Sequence, residues 1–103
     1  MAPITNARAG TTAPGSTNWK PYGNNVGVYA DVDTTADGFA STPMYFTCLR
    51  GKNSHWRTTG ATSIYNATRT GFRVYVRWSD GSTLTPAKAN DLEWHINWLA
   101  IEI

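Results

Sequence analysis

Residues 70–81 of this chain read TGFRVYVRWSDG. Between Gly71 and Trp78 apolar and polar side chains alternate strictly, which is the pattern of a β-strand with one buried face. The side chains predicted to be buried are Phe72, Val74, Val76 and Trp78. The opposite face is predicted to show Arg73, Tyr75, Arg77 and Ser79. Two guanidinium groups, a phenol and a hydroxyl in one row are more typical of a recognition surface than of a catalytic site.

The rest of the chain contains further short strands separated by turn residues. They are predicted at residues 26–33, 44–50, 61–68 and 92–103. The last of them is apolar on both faces, so we expect it to lie in the core and also at a subunit contact. One helical turn is predicted at residues 87–93, because the segment is too short for more. Short strands with Gly and Pro turns indicate an all-β protein, a small antiparallel β-sandwich.

The chain is predicted to divide into an arm and one domain. Residues 1–23 are rich in Thr, Ala, Gly, Pro and Asn and have no sustained apolar period. We therefore expect an irregular N-terminal arm that is anchored around Trp19, with room for a short pairing segment at its end. Residues 24–103 carry the predicted strands and form the β-sandwich domain. A chain of 103 residues is long enough for one hydrophobic core but lies near the small end for a domain.

The composition disfavours several classes of protein. Nine Lys and Arg residues against seven Asp and Glu give a formal charge of only +2, which lacks the basic excess of a nucleic-acid binder. No apolar run reaches membrane-spanning length, so no membrane insertion is expected. Thirteen residues are aromatic and five of these are Trp. This is more aromatic area than a small core needs, so some rings should be exposed or lie at subunit contacts.

Cys48 is the one cysteine, which excludes an intramolecular disulfide. It sits in an apolar-flanked strand, so we expect a buried thiol rather than a nucleophile. The chain begins Met-Ala-Pro-Ile without a basic and then apolar leader, so no signal peptide is visible. Synthesis in the cytoplasm, with later release or action at a surface, is compatible with this start, and the location is left open.

Enzyme signatures are absent from the sequence. There is no G-x-S-x-G, phosphate-binding loop or H-E-x-x-H motif. No carboxylate is placed as a raised-pKa acid opposite a base, as a glycosidase needs. Asp31 and Asp33 alternate on a strand, where carboxylates more often form an exposed face than a calcium site. His55 and His95 lack the partners of a zinc site. We therefore expect no catalysis, no metal and no cofactor.

The second half of the chain carries a set of motifs in a recognisable order. An alternating strand, a loop Phe and a Pro-led strand follow one another within residues 26–49. Residues 66–72, NATRTGF, lead into the strand that ends at Trp78, and the chain closes on INWLAI at residues 96–101. In these motifs residues 24–103 resemble the H-type lectin domain family, the small β-sandwich lectins of snail agglutinins and discoidin C-terminal domains.

The resemblance implies a fold, an assembly and a ligand. An H-type lectin is an antiparallel six-stranded β-sandwich that forms homotrimers, or hexamers of two trimers, and binds galactose or N-acetylgalactosamine in clefts between protomers. By this resemblance Trp78, Ser79 and Asp80, at the end of the Gly-Phe strand, are sugar-binding residues. The family also uses an acidic residue of the N-terminal segment and an arginine from the strand that precedes Thr-Gly-Phe. Neither matches cleanly, because residues 1–23 contain no Asp or Glu and residues 61–68 contain no Arg. The identity of the sugar is therefore left open.

A second candidate cluster lies in the loop after residue 50 and consists of Asn53, His55, Trp56 and Arg57. Sugar recognition needs an aromatic face for the C–H patch of the ring and planar donors and acceptors for its hydroxyls, and this loop supplies both. We expect the loop of one protomer to face Trp78 of the next, as one composite site. Alternatively, Trp78 closes the core above an ordinary Asp-Gly hairpin turn, and Trp56 packs back onto the sheet or a neighbouring subunit.

The predicted function is that of a multivalent carbohydrate-binding lectin without catalysis, which recognises cell-surface or polysaccharide glycans as a homo-oligomer. Identical weak sites held at fixed separation gain strength by multivalency. Three alternatives are open for the outer row of Arg73, Tyr75 and Arg77. It contacts carboxylates of a neighbouring subunit, it contacts the carboxylate of an acidic sugar, or it is exposed to solvent. The alternative is a structural trimerising or assembly module of an adhesin or a phage-tail-like particle, with its exposed aromatics covered by protein.

Overall fold

The structure is a computed structural model that describes residues 3–103. Over this range the chain forms eight β-strands and one short α-helix. The strands are β1 (Asn6–Thr11), β2 (Lys20–Tyr22), β3 (Gly27–Asp33), β4 (Met44–Arg50), β5 (Thr58–Thr59), β6 (Tyr65–Thr68), β7 (Gly71–Trp78) and β8 (His95–Glu102). The helix α1 (Pro86–Asp91) begins after Thr85, whose hydroxyl accepts a hydrogen bond from the Lys88 amide at 3.1 Å. No helix in this range is long and apolar enough to cross a membrane.

The strands pair antiparallel and form two sheets. In the three-stranded sheet, β8 lies between β1 and β4. The five-stranded sheet runs β2-β3-β7, and the short strands β5 and β6 share the other edge of β7. β7 is therefore the strand on which this sheet is built, because it pairs with β3 on one side and with both short segments on the other.

The two sheets pack against each other through the alternating apolar side chains of their inner faces. At the centre, the ring of Phe72 on β7 lies 4.4 Å from that of Tyr45 on β4 and 6.3 Å from that of Trp98 on β8, measured between centroids. The largest fully buried apolar side chains are Trp94, Leu84, Ile96, Val28, Val74 and Val76. Gly10 leaves room for the Trp98 indole, since a Cβ there would lie 2.5 Å from the ring.

Most of the predicted elements are confirmed. β4 and β7 have the predicted bounds, and β3, β8 and α1 overlap the segments predicted for them. Phe72, Val74 and Val76 are buried as their alternation predicts. The strand predicted at residues 61–68 begins only at Tyr65, because the Ser63 amide donates to the Gly60 carbonyl at 3.0 Å and turns the chain before it.

The prediction of an irregular arm at residues 1–23 is wrong at residues 6–11, which form β1, while the short pairing segment expected at its end is present as β2. β1 pairs with β8 along its whole length, from Asn6 opposite Glu102 to Thr11 opposite Asn97. Trp19 is buried, as its expected anchoring role requires, and its indole N–H donates to the Trp94 carbonyl at 2.9 Å. Residues 3–103 hold eight strands where six were predicted, because short segments such as β2 and β5 line the sheet edges.

The outer face of the three-stranded sheet is apolar and uncovered in the protomer. We call it the apolar outer face, and it consists of Ala7, Ala9, Met44, Phe46, Cys48, Leu99 and Ile101. Phe46 is 52% exposed and lies opposite Leu99, which is 42% exposed. The prediction that Cys48 is buried is wrong, because β4 turns Tyr45 inward and the alternate residues outward. β8 thus buries one apolar face in the core, as predicted, and leaves its other face open.

Candidate functional site

Five of the seven candidate site residues line one open cleft of about 320 Å³. We call it the indole cleft, and its lining residues are Trp56, Arg57, Trp78, Ser79 and Asp80. The first two belong to the loop between β4 and β5, and the other three end β7 and begin the turn that follows it. The two clusters singled out in the sequence are therefore neighbours in space.

The pairing of β5 with β7 brings the two clusters together within one chain. Thr58 lies opposite Trp78, and the Ser79 amide donates to the Arg57 carbonyl at 2.9 Å. After β7 the chain turns at Gly81, which has a φ of 79° and donates its amide to the Trp78 carbonyl at 3.1 Å. Within one protomer the chain's own loop therefore lies beside Trp78, and a composite site with the loop of a neighbouring protomer stays a prediction.

The two tryptophans of the indole cleft differ in how deeply they are buried. Trp78 is partly buried and meets the fully buried Trp94 edge-on, with 5.0 Å between ring centroids. Trp78 therefore closes one end of the core, as its alternation with Val76 predicts, and its outer part also lines the cleft. Trp56 is 84% exposed, so it does not pack back onto the sheet of its own protomer. An indole that open to water is available to a ligand or a partner.

The indole cleft carries one charge of each sign. The guanidinium carbon of Arg57 lies 5.6 Å from the centroid of the Trp78 ring, within cation–π distance. Hydrogen bonding to Ser82, through its hydroxyl and its amide, holds the pKa of Asp80 below its usual range, and the positive charge of Arg57 lowers it further. Asp80 is therefore ionised at neutral pH and can accept hydrogen bonds from ligand hydroxyls.

The two remaining candidates, Asn53 and His55, do not line the cleft. The Asn53 carbonyl accepts a hydrogen bond from the Trp94 indole at 2.9 Å, which ties the loop to the core. The His55 carbonyl accepts one from the Thr58 hydroxyl at 2.7 Å, and its ring Nδ1 is buried without a hydrogen-bond partner among residues 3–103. Both residues therefore shape the loop that presents Trp56 and Arg57.

A second and larger cleft of about 460 Å³ lies on the outer face of the five-stranded sheet. We call it the tyrosine cleft because Tyr22, Tyr65 and Tyr75 line it, together with Gly27 and Arg77. The outward direction of Tyr75 and Arg77 is visible in the sequence as alternation along β7. The other residues come from β2, β3 and β6, and only the pairing of those strands with β7 reveals that they meet.

Arg73, the first arginine of the outer row, is fully engaged within the chain. Its Nε and Nη2 donate to the two carboxylate oxygens of Asp31 at 2.7 and 2.9 Å, and its guanidinium carbon lies 4.1 Å from the Tyr29 ring centroid. This hydrogen bonding lowers the pKa of Asp31 and raises that of Arg73. Among residues 3–103 no group of three His, Cys, Asp or Glu side chains could hold a metal ion.

Comparisons with known proteins give no match. No family model, no curated protein and no solved structure matches this chain. The resemblance to H-type lectins therefore stays a prediction from the motifs, and the geometry of the two clefts and of the apolar outer face is what bears on function.

Proposed function

We propose that this protein is a carbohydrate-binding lectin whose sugar site is the indole cleft. The observation that carries the proposal is the convergence of two indoles, a guanidinium, an ionised carboxylate and a hydroxyl on one open cleft. A pyranose offers an apolar C–H face and a ring of hydroxyls, and these are complementary to such a set.

Each residue of the indole cleft has a role in this proposal. The exposed face of Trp56 packs against the C–H patch of the sugar, and the outer part of Trp78 forms the opposite wall. Asp80 accepts hydrogen bonds from adjacent sugar hydroxyls, and charged acceptors make the stronger hydrogen bonds of this kind. Arg57 donates to sugar oxygens while its stacking on Trp78 keeps it in place. The motif resemblance favours galactose or N-acetylgalactosamine as the sugar.

The cleft is better suited to binding than to hydrolysis. Glycoside hydrolysis uses a pair of carboxyl groups, one of them with a raised pKa. Asp80 is the single carboxylate that lines the indole cleft, and its pKa is lowered rather than raised. This supports a site that recognises a glycan and releases it unchanged.

The apolar outer face supports assembly into a homo-oligomer, as a trimer or a hexamer. A contiguous exposed apolar surface favours burial against another protein surface. Phe46, Met44 and Leu99 are each more than 40% exposed in the protomer and lie on neighbouring strands. In this proposal the copies cover one another's apolar outer face, and each carries an indole cleft. Several weak sites on one particle then bind a cell surface or a polysaccharide far more tightly than one site does.

An assembly module of an adhesin or a phage-tail-like particle is the second candidate. The same apolar outer face favours it, because such a module also needs a surface that other chains cover. In that case a protein would cover Trp56, and no free sugar would compete for the indole cleft. The two functions therefore differ in whether the protein binds a glycan at all.

A glycan array followed by calorimetry with the best neutral sugar tests the proposal. Trp56→Ala and Arg57→Ala are expected to lose at least about tenfold in affinity, since each removes a direct contact. Lys52→Ala, an exposed cation in the same loop, is the matched control and should bind normally. Haemagglutination that free sugar inhibits is expected for the native protein. If the native protein binds no glycan on the array, or if both cleft variants bind with native affinity, the indole cleft is excluded as a lectin site.

A further inference from the structure

The tyrosine cleft has the form of a small-ligand site. It lies on the outer face of the five-stranded sheet, where Gly27 and Gly60 are among its lining residues. A Cβ at Gly27 would lie 2.7 Å from the Val76 carbonyl oxygen and 3.3 Å from the Cβ of Arg77. The close approach of β7 therefore leaves no room for a side chain at Gly27, and this part of the cleft is lined by backbone. Its volume of about 460 Å³ is within the range of small-ligand pockets, about 300–1,000 Å³.

The aromatic wall of the cleft is held in place before any ligand binds. The Tyr75 ring meets those of Tyr22 and Tyr65 edge-on, at 5.2 and 4.9 Å between centroids. Its hydroxyl accepts a hydrogen bond from Arg73 at 3.3 Å. Tyr22 and Tyr65 are each about half exposed, at 51% and 50%, so they present aromatic surface to the cleft. A rigid wall of this kind loses little conformational entropy on binding.

The charge of the residues that line the tyrosine cleft indicates which class of ligand it binds. Arg77 is the single charged residue among those that line the tyrosine cleft. The one salt bridge between residues 3 and 103 joins Arg73 to Asp31, so the charge of Arg73 is compensated and that of Arg77 is not. The hydroxyls of Thr59 and Ser63 also line the cleft. Aromatic rings, neutral hydroxyls and one uncompensated guanidinium are complementary to a sugar ring that carries a carboxylate.

We propose that the tyrosine cleft is a second saccharide site, which binds a uronic acid residue with its carboxylate on Arg77 and its ring against Tyr22, Tyr65 and Tyr75. The site is separate from the indole cleft, because Arg77 and Tyr75 point to the outer face of β7 whereas Trp78 points to the inner face. The proposal goes beyond a lectin for neutral sugars, since it adds a binding site for acidic polysaccharide to the same protomer.

Calorimetry with digalacturonic acid and with its dimethyl ester tests the proposal on the full chain. The acid is expected to bind, and the ester, in which the carboxylates are masked, is expected to bind at least about tenfold more weakly. Arg77→Gln should weaken binding of the acid by about the same factor. Arg69→Gln removes another exposed arginine, in the turn before β7, and should leave binding unchanged. Tyr22→Ala, on an exposed edge strand, should weaken binding of both ligands.

The location of binding is checked by amide chemical shifts in nuclear magnetic resonance spectra. Digalacturonic acid is expected to shift the amides of Gly27, Gly60 and Tyr75 and to leave those of Ser79 and Asp80 unchanged. Trp56→Ala should not alter its affinity, so the outcome is independent of whether the indole cleft binds neutral sugars. The proposal is overturned if the acid does not bind at millimolar concentration, if the ester binds as well, or if both arginine variants behave alike.

Discussion

Replacing each tryptophan of the indole cleft by alanine should separate its structural role from its binding role. Trp78 is partly buried and packs edge-on against Trp94 at 5.0 Å, whereas Trp56 is 84% exposed. Deleting a fully buried Trp costs about 3–5 kcal/mol, and a partly buried one about half of that. The lost aromatic pair adds about 0.5–1.5 kcal/mol. Trp78→Ala is therefore expected to lower the free energy of unfolding by about 2–4 kcal/mol.

The matched variant, Trp56→Ala, should change the free energy of unfolding by less than about 0.5 kcal/mol, as surface substitutions usually do. Both proteins are unfolded in urea at one protein concentration and followed by far-ultraviolet circular dichroism, because indole fluorescence would itself change. Both variants should lose sugar binding. Equal stability losses would refute the assignment of Trp78 to the core and Trp56 to the surface. A Trp56→Ala variant that is much the less stable of the two would refute it more strongly.

Three further outcomes follow from named contacts. Phe46→Asp on the apolar outer face should give monomers in sedimentation experiments and abolish agglutination, while the affinity for a monovalent sugar stays native. If the variant still forms oligomers of native size, the apolar outer face is not the subunit contact. Because the pKa of Asp80 is lowered, sugar affinity should persist as the pH falls through the ordinary pKa of an aspartate, about 4. It should drop only at a pH below that value. Asp80→Asn should bind weakly at every pH. Hydrogen bonds from the Ser41 amide and hydroxyl lower the pKa of Glu102. The stability that Glu102 contributes is therefore present above its unfolded pKa of 4.5 and lost as the pH falls through the lower folded value. In Glu102→Gln, the urea concentration at half-unfolding should fall less steeply with decreasing pH than in the native protein. An equally steep fall would contradict this.

The strands with one clearly apolar face were predictable from alternation alone. β7 is the best example, because Phe72, Val74 and Val76 are buried and Arg73 and Tyr75 face outward, as their spacing requires. β1 was not predictable in this way. Its side chains are mostly exposed, so burial imposes no apolar period on them, and its pairing with β8 holds it through backbone hydrogen bonds.

Cys48 shows where alternation fails. Apolar side chains occur on both faces of β4, so the pattern does not tell which face is inside, and apolar neighbours along the strand do not by themselves indicate a buried thiol. The register is set by Tyr45, whose hydroxyl donates to the Thr68 carbonyl at 2.7 Å and accepts a hydrogen bond from the Thr34 hydroxyl at 2.8 Å. That contact between distant segments turns Cys48 outward.

The candidate site was predictable in its residue types but only partly in its arrangement. Trp56 and Arg57 were recognisable because a polar loop seldom carries an exposed indole, and Trp78 was recognisable by its place at the end of the Gly-Phe strand. Their meeting within one chain depends on β5, and a strand of two residues, Thr58 and Thr59, shows no periodicity. The tyrosine cleft was missed for a similar reason, since its walls come from strands that are distant in sequence.

β5 has a consequence for how the two clefts are kept apart. Thr58 pairs with Trp78 beside the indole cleft, and Thr59 pairs with Arg77 and lines the tyrosine cleft. Two consecutive residues thus separate the indole cleft from the tyrosine cleft. Both are held by their pairing with β7, so a ligand in one cleft is expected to leave the other unchanged as long as that pairing stays intact. If both proposals hold, a glycan that carries a neutral and an acidic sugar would meet two independent sites that a single dipeptide separates.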